Sequence, residues 1–145
     1  MAPSRQVDIL WVENDRGDIR LVKDALAETA GKPTIRYVKD GVSALQFLRR
    51  EAPFEDAPRP RIVLLDLNLP GKDGRAVLKE LKADPALTFV PVVVFSNSDA
   101  PNDILKCYAA GANCYIVKPR DLYGFIDTMR SLLDFWLRIV ALPPR

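Results

Sequence analysis

The stretch from Arg61 to Gly74, RIVLLDLNLPGKDG, constrains the fold more than any other part of the chain. Ile62, Val63, Leu64 and Leu65 run without polar alternation, which suits a strand buried on both faces of a parallel sheet. The run meets a carboxylate, Asp66, and then the turn formers Asn68, Pro70, Gly71 and Gly74, so the chain leaves the sheet there. The carboxyl end of a central parallel strand is where open α/β sheets bind ligands. Asp66 could equally cap a turn, and one acid does not decide between these roles.

The rest of the chain repeats the pattern. Val7–Val12, VDILWV, reads as a strand ending in the polar cluster Glu13-Asn14-Asp15. Apolar residues at Ile19, Val22, Ala25, Leu26 and Thr29 give helical spacing from Arg16 to about Ala30, stopped by Gly31 and Lys32-Pro33. Thr34–Lys39 alternates as a second strand, and Val42, Ala44, Leu45 and Leu48 mark a second helix. EAPFEDAPRP, residues 51–60, has three prolines and no periodicity, and reads as the least constrained surface loop. A helix over about Arg75–Ala83 follows the central strand. Val90–Phe95 is another continuous apolar run, followed by Ser96. A helix over about Pro101–Ala110 ends at Gly111. Asn113–Val117 is a fifth strand running into Lys118-Pro119, and a last helix from about Asp121 extends toward Val140. Strand and helix alternate five times, which predicts a doubly wound α/β domain with a parallel sheet covered on both faces.

The 145 residues suit one domain, with a core over about 6–131 and a C-terminal extension over 132–145. The formal charge of +2, from 21 basic and 19 acidic residues, gives no reason to expect nucleic acid as a partner. There is no histidine, so catalysis by a histidine base and phosphohistidine chemistry on this chain are excluded. Cys107 and Cys114 are too few for a disulfide framework and read as free thiols of a cytoplasmic protein. No apolar run has membrane-spanning length.

All strand ends of a parallel sheet lie on one edge. That gathers Glu13, Asn14 and Asp15 with Asp66, Ser96 and Lys118. Each has an ordinary explanation as a cap, a turn residue or a solvated end; together they suggest phosphoryl chemistry. A carboxylate can attack phosphorus, an amine and a hydroxyl can neutralise phosphoryl oxygens, and Mg²⁺ takes carboxylate oxygens such as those of Glu13 and Asp66. A flavodoxin-type cofactor binder would need a small, phosphate-accepting loop in place of the acidic ENDRGD. A phosphatase with an Asp nucleophile would usually need a second acid where Asn68 stands.

The blocks ILWVEND, VLLDLNLPGKDG, VVVFS, the Ala110-Gly111-Ala112 element and YIVKP, in this order and spacing, make nearly the whole chain resemble the receiver domain of bacterial two-component response regulators. The resemblance implies a flavodoxin-like fold with strand order 2-1-3-4-5. It implies that Asp66 is the phosphoacceptor and that Ser96 and Lys118 bind the phosphoryl group. By the same resemblance Tyr115 is expected to be the aromatic switch following Ser96, and the Lys118–Pro119 bond is expected to be cis. It further implies that Mg²⁺ would be held by Glu13, Asn14, Asp66 and the main-chain carbonyl of Asn68. The chain departs from the family at Asn14, where a second acid normally binds the metal. The expected function is therefore a single-domain response regulator that accepts a phosphoryl group from a sensor histidine kinase. It is no enzyme beyond slow self-dephosphorylation. The alternative is a pseudo-receiver scaffold whose metal site is weakened by Asn14.

The last helix carries more apolar surface than one docked face hides. Phe125, Met129, Leu132, Trp136, Leu137 and Val140 are expected to form a homodimer contact, in preference to folding back onto their own domain. The Phe-Trp-Leu end with Leu142-Pro143-Pro144 resembles response regulators that pair with bacterial and cyanobacterial phytochrome kinases.

Overall fold

A computed structural model describes residues 7–26 and 33–144. The strands are β1 (Ile9–Val12), β2 (Ile35–Val38), β3 (Ile62–Leu65), β4 (Val92–Ser96) and β5 (Cys114–Val117). The helices are α1 (Arg16–Leu26), α2 (Gly41–Arg49), α3 (Gly74–Ala83), α4 (Pro101–Ala109) and α5 (Leu122–Asp134), with a π-helical turn at Phe135–Ile139. The five strands form one parallel sheet in the order β2-β1-β3-β4-β5. This is the flavodoxin-like receiver fold that the sequence predicts. The expected end of α1 at Thr29 and Ala30, and its stop at Gly31-Lys32, lie outside the described residues.

Alternation along each strand divides the core into two layers. Leu10, Val12, Val63, Leu65, Val92 and Val94 face α2, α3 and α4. Ile9, Trp11, Ile62, Leu64, Val93 and Phe95 face α1 and α5. Every residue of β1, β3 and β4 is buried, which is why their sequences show no alternation. β4 begins at Val92, two residues later than expected. Pro91 has no N–H for a ladder and contributes only its carbonyl, which accepts from Val63 N at 2.9 Å. No helix of the described residues is long and apolar enough to cross a membrane.

The 51–60 segment is more constrained than its composition suggests. The Phe54 ring packs on Phe47 with centroids 5.4 Å apart, Ala57 and Pro60 are buried, and Ala57 N donates to Phe54 O at 3.0 Å. One aromatic anchor fixes a loop in which prolines had suggested freedom.

The C-terminal end also departs from expectation. α5 stops at Asp134, and a wider turn closes with Val140 N donating to Phe135 O at 2.9 Å. Trp136, Leu137 and Leu142 pack back against the α1/α5 layer of the core. Phe125, Met129 and Leu132 are buried under the same helix. These three are core residues of their own domain, because the face of α5 that carries them is the one docked on the sheet. While α5 stays docked they offer little surface to a second copy. Beyond the end of α5 the large apolar side chains left outside are Phe135, 50% exposed, and Ile139, 60% exposed.

Candidate functional site at the carboxyl edge of the sheet

Three strand ends supply the centre of the site. β1 delivers Glu13, whose N–H donates to Val38 O at 3.0 Å. β3 delivers Asp66, whose N–H donates to Val12 O at 3.1 Å. β5 delivers Lys118, whose N–H donates to Ser96 O at 2.7 Å. Sheet pairing thus continues one residue beyond each strand and sets these side chains side by side. The start of α3 packs directly beneath. A Cβ on Gly74 would lie 2.3 Å from Asp66 O and 2.7 Å from the Leu67 Cα, so only glycine lets the chain turn back so closely under Asp66.

Lys118 organises the charges. Its Nζ lies 2.6 Å from Glu13 Oε2, 3.2 Å from Asp18 Oδ2 and 3.3 Å from Asp66 Oδ2. Its ammonium also sits 5.6 Å from the centroid of the Phe95 ring, whose π face favours a cation. Glu13 is 1% and Lys118 3% exposed. Burial pushes the Glu13 carboxyl up to about 7, with the Lys118 hydrogen bond and charge pulling the other way. Burial draws the Lys118 ammonium down, but the Glu13 hydrogen bond and the charges of Glu13, Asp66 and Asp18 outweigh it, and the net direction is upward. A cation facing three carboxylates at these distances stays charged.

The remaining Glu13 oxygen, Oε1, accepts from Asn14 N and Asp15 N, both at 3.1 Å. Asp15 caps α1, its Oδ1 accepting from Asp18 N at 3.1 Å, as the sequence suggests. Asn14 and Asn68 are exposed at the rim. Asn68 N donates to Asp66 Oδ1 at 3.2 Å. Ser96 is fully buried at the end of β4, and its Oγ accepts from Ser98 N at 3.2 Å. Tyr115 directs its hydroxyl to Ser98 O at 2.8 Å.

Glu13, Asp66, Ser96 and Lys118 therefore meet on one edge. Asn14 and Asn68 border it, and Tyr115 reaches it through Ser98. Asp18 is the site residue that sequence reasoning missed. Its signal was its position three residues after the Asp15 cap, which puts it in the first helical turn above the strand ends. The expected cis bond at Lys118–Pro119 is corrected. Among the described residues the cis X-Pro bond is Ala52–Pro53. Lys118 needs no special peptide geometry, because its main-chain bond to Ser96 already holds it at the edge.

Among the described residues no group of three or more acidic or thiol side chains is placed to hold a metal ion. The residues that would hold a hard divalent cation, on donor chemistry, are the Glu13 and Asp66 carboxylates with the Asn14 amide and the Asn68 carbonyl, all oxygen donors. Glu13 is shared with Lys118, so this set carries less free negative charge than its acids alone imply.

Residues 9–130 match the response regulator receiver domain family. The response regulator Rcp1 of Synechocystis is 40% identical over 135 residues, covering 93% of this chain and 92% of that protein. The crystal structure of the phosphorylated cyanobacterial phytochrome response regulator RcpA superimposes with a TM-score of 0.90 at 41% identity, covering 97% of this chain and all of that one. The Mn²⁺-bound form of Rcp1 gives 0.89 at 39% identity, with 97% and 100% coverage. With strand order, edge chemistry and these likenesses in agreement, the chain belongs to the response regulator receiver domain family.

Proposed function

We propose that this chain works as a single-domain response regulator that accepts a phosphoryl group on Asp66 from a sensor histidine kinase. The observation that carries the reading is the position of Lys118 Nζ, shared by Asp66, Glu13 and Asp18 at one buried edge. An Asp66 oxygen attacks phosphorus, the O–P bond forms, and the P–N bond of the donor phosphohistidine breaks with its electron pair leaving on the imidazole. Lys118 neutralises a phosphoryl oxygen, and the Ser96 hydroxyl, released from Ser98 N, donates to another. Glu13, Asp66, Asn14 and the Asn68 carbonyl would hold Mg²⁺, which when bound would supply charge neutralisation at the phosphoryl oxygens. The similarity to Rcp1, whose structure is known in a Mn²⁺-bound form, supports divalent-cation binding.

The named relatives make a phytochrome the candidate class of kinase. The test is transfer from a purified, autophosphorylated phytochrome kinase. Label moving to the wild type but not to Asp66→Asn supports the proposal; label remaining on the kinase counts against it.

A second reading is favoured by Asn14 and by the Glu13–Lys118 pair, which together leave little charge for a metal. In that reading the chain is an unphosphorylated interaction scaffold in the cell. The same transfer experiment separates the two. Cytoplasmic location and a homodimer through the C-terminal end complete the proposal, with the exposed Phe135 and Ile139 joining Trp136, Leu137 and Val140 as the contact.

A further inference from the structure

The loop after β4 is held from three sides by Ser98. Its N–H donates to Ser96 Oγ at 3.2 Å, and its carbonyl accepts from the Tyr115 hydroxyl at 2.8 Å. Its own hydroxyl donates to Asp103 Oδ2 at 2.5 Å and accepts from Ala100 N at 3.3 Å. Asp103 lies in the first turn of α4, a helix whose N-cap residue, Ala100, has no side-chain cap. The other Asp103 oxygen accepts from Arg75 Nη2 at 2.5 Å, and Arg75 stands in the first turn of α3. The Ser98 hydroxyl, then Arg75, hold the Asp103 carboxyl below the usual carboxylate range. A chain of contacts therefore runs from α3, through α4, to the hydroxyl beside the phosphoacceptor.

We propose that the Arg75–Asp103–Ser98 bridge is a latch that holds the β4–α4 loop, and with it the Ser96 hydroxyl, in the arrangement that does not bind a phosphoryl group. This rests on Asp66 being the phosphoacceptor. To reach a phosphoryl oxygen, the Ser96 hydroxyl gives up the bond from Ser98 N. Ser98 cannot follow while its hydroxyl is fixed to Asp103 and Asp103 to Arg75. Whatever free energy the bridge contributes is absent from the phosphoryl-binding arrangement, so removing the bridge shifts the population toward that arrangement by the same factor. Arg75 and Asp103 are positioning residues, since neither touches Asp66.

The test is the initial rate of phosphoryl mass gain on the full chain with acetyl phosphate and Mg²⁺. Arg75→Gln and Asp103→Ala are each expected to raise the rate about two- to fivefold, the range for a partly exposed ion pair. The double variant is expected to be no faster than Asp103→Ala alone, because losing Asp103 already breaks both links of the bridge. Arg75→Lys, which keeps the cation, is expected to return most of the way to the wild-type rate. A loss of stability alone would produce neither the non-additivity nor the recovery. Wild-type phosphorylation with unchanged or slower variants overturns the latch and leaves the phosphoacceptor reading standing. No mass gain on wild type or variants at high Mg²⁺ overturns both.

Discussion

Lys118 Nζ lies 2.6 Å from Glu13 Oε2, although 105 positions separate the two residues in sequence. Both are buried, and Asp66 and Asp18 crowd the same ammonium. The pair joins the ends of β1 and β5 on either side of Asp66, and it sets the electrostatics of the edge.

That relationship predicts a pH dependence. In the fold the Glu13 carboxyl is pushed up to about 7 from its ordinary 4.5, because burial opposes its charged form more than Lys118 favours it. Between these values the folded chain binds more protons than the unfolded one, so Glu13's contribution is full below the lower value and is lost as pH rises through 7. Lys118, Asp66 and Asp18 are the charged groups facing it. With chelator present, Glu13→Gln should gain stability on the wild type as pH goes from 4 to 8, by up to about 3 kcal/mol. Urea unfolding at several pH values measures this, and a pH-independent difference would contradict it.

Removing the cation should have the opposite sign. Lys118→Met leaves buried carboxylates without their partner, a change that typically costs about 3–5 kcal/mol. The loss should be largest near pH 8 and shrink toward pH 5 as Glu13 takes up a proton. Asp18→Asn, at the more exposed end of the same cluster, should cost no more than about 1 kcal/mol. Thermal melts of the two variants check the ranking.

Asn14 stands beside Glu13, on the exposed rim next to two carboxylates. Restoring an acid there, Asn14→Asp, adds a charged oxygen donor for a hard cation and should tighten Mg²⁺ binding by about tenfold. Calorimetric titration of both proteins measures the difference. Equal affinities would mean that residue 14 does not face the metal.

The tail supplies a prediction about assembly. Phe135 and Ile139 are large, apolar and exposed. Replacing both with serine should leave the melting temperature nearly unchanged and convert a dimer to a monomer by light scattering. A monomeric mass for the unmodified chain at every concentration would remove the dimer from the account.

The centre of the fold was legible because β1, β3 and β4 are buried on both faces, which writes continuous apolar runs into the sequence. The site was legible where a strand end supplied the residue, as with Glu13, Asp66, Ser96 and Lys118. What the sequence hid depended on reach across space. Asp18 joins the cluster only because α1 starts above β1. Phe54 orders its loop only because Phe47 is there to receive it. The apolar positions of α5 could not be divided by spacing alone into those facing the sheet and those facing outward. Spacing alone therefore groups Phe125, Met129 and Leu132 with the outward stripe, whereas they are buried against the sheet.

The most direct test of the central claim is the intact mass of the full chain after incubation with acetyl phosphate and Mg²⁺. The account predicts a gain of a single phosphoryl group that is absent from Asp66→Asn. An unchanged wild-type mass at high Mg²⁺, or the same gain on Asp66→Asn, would contradict it.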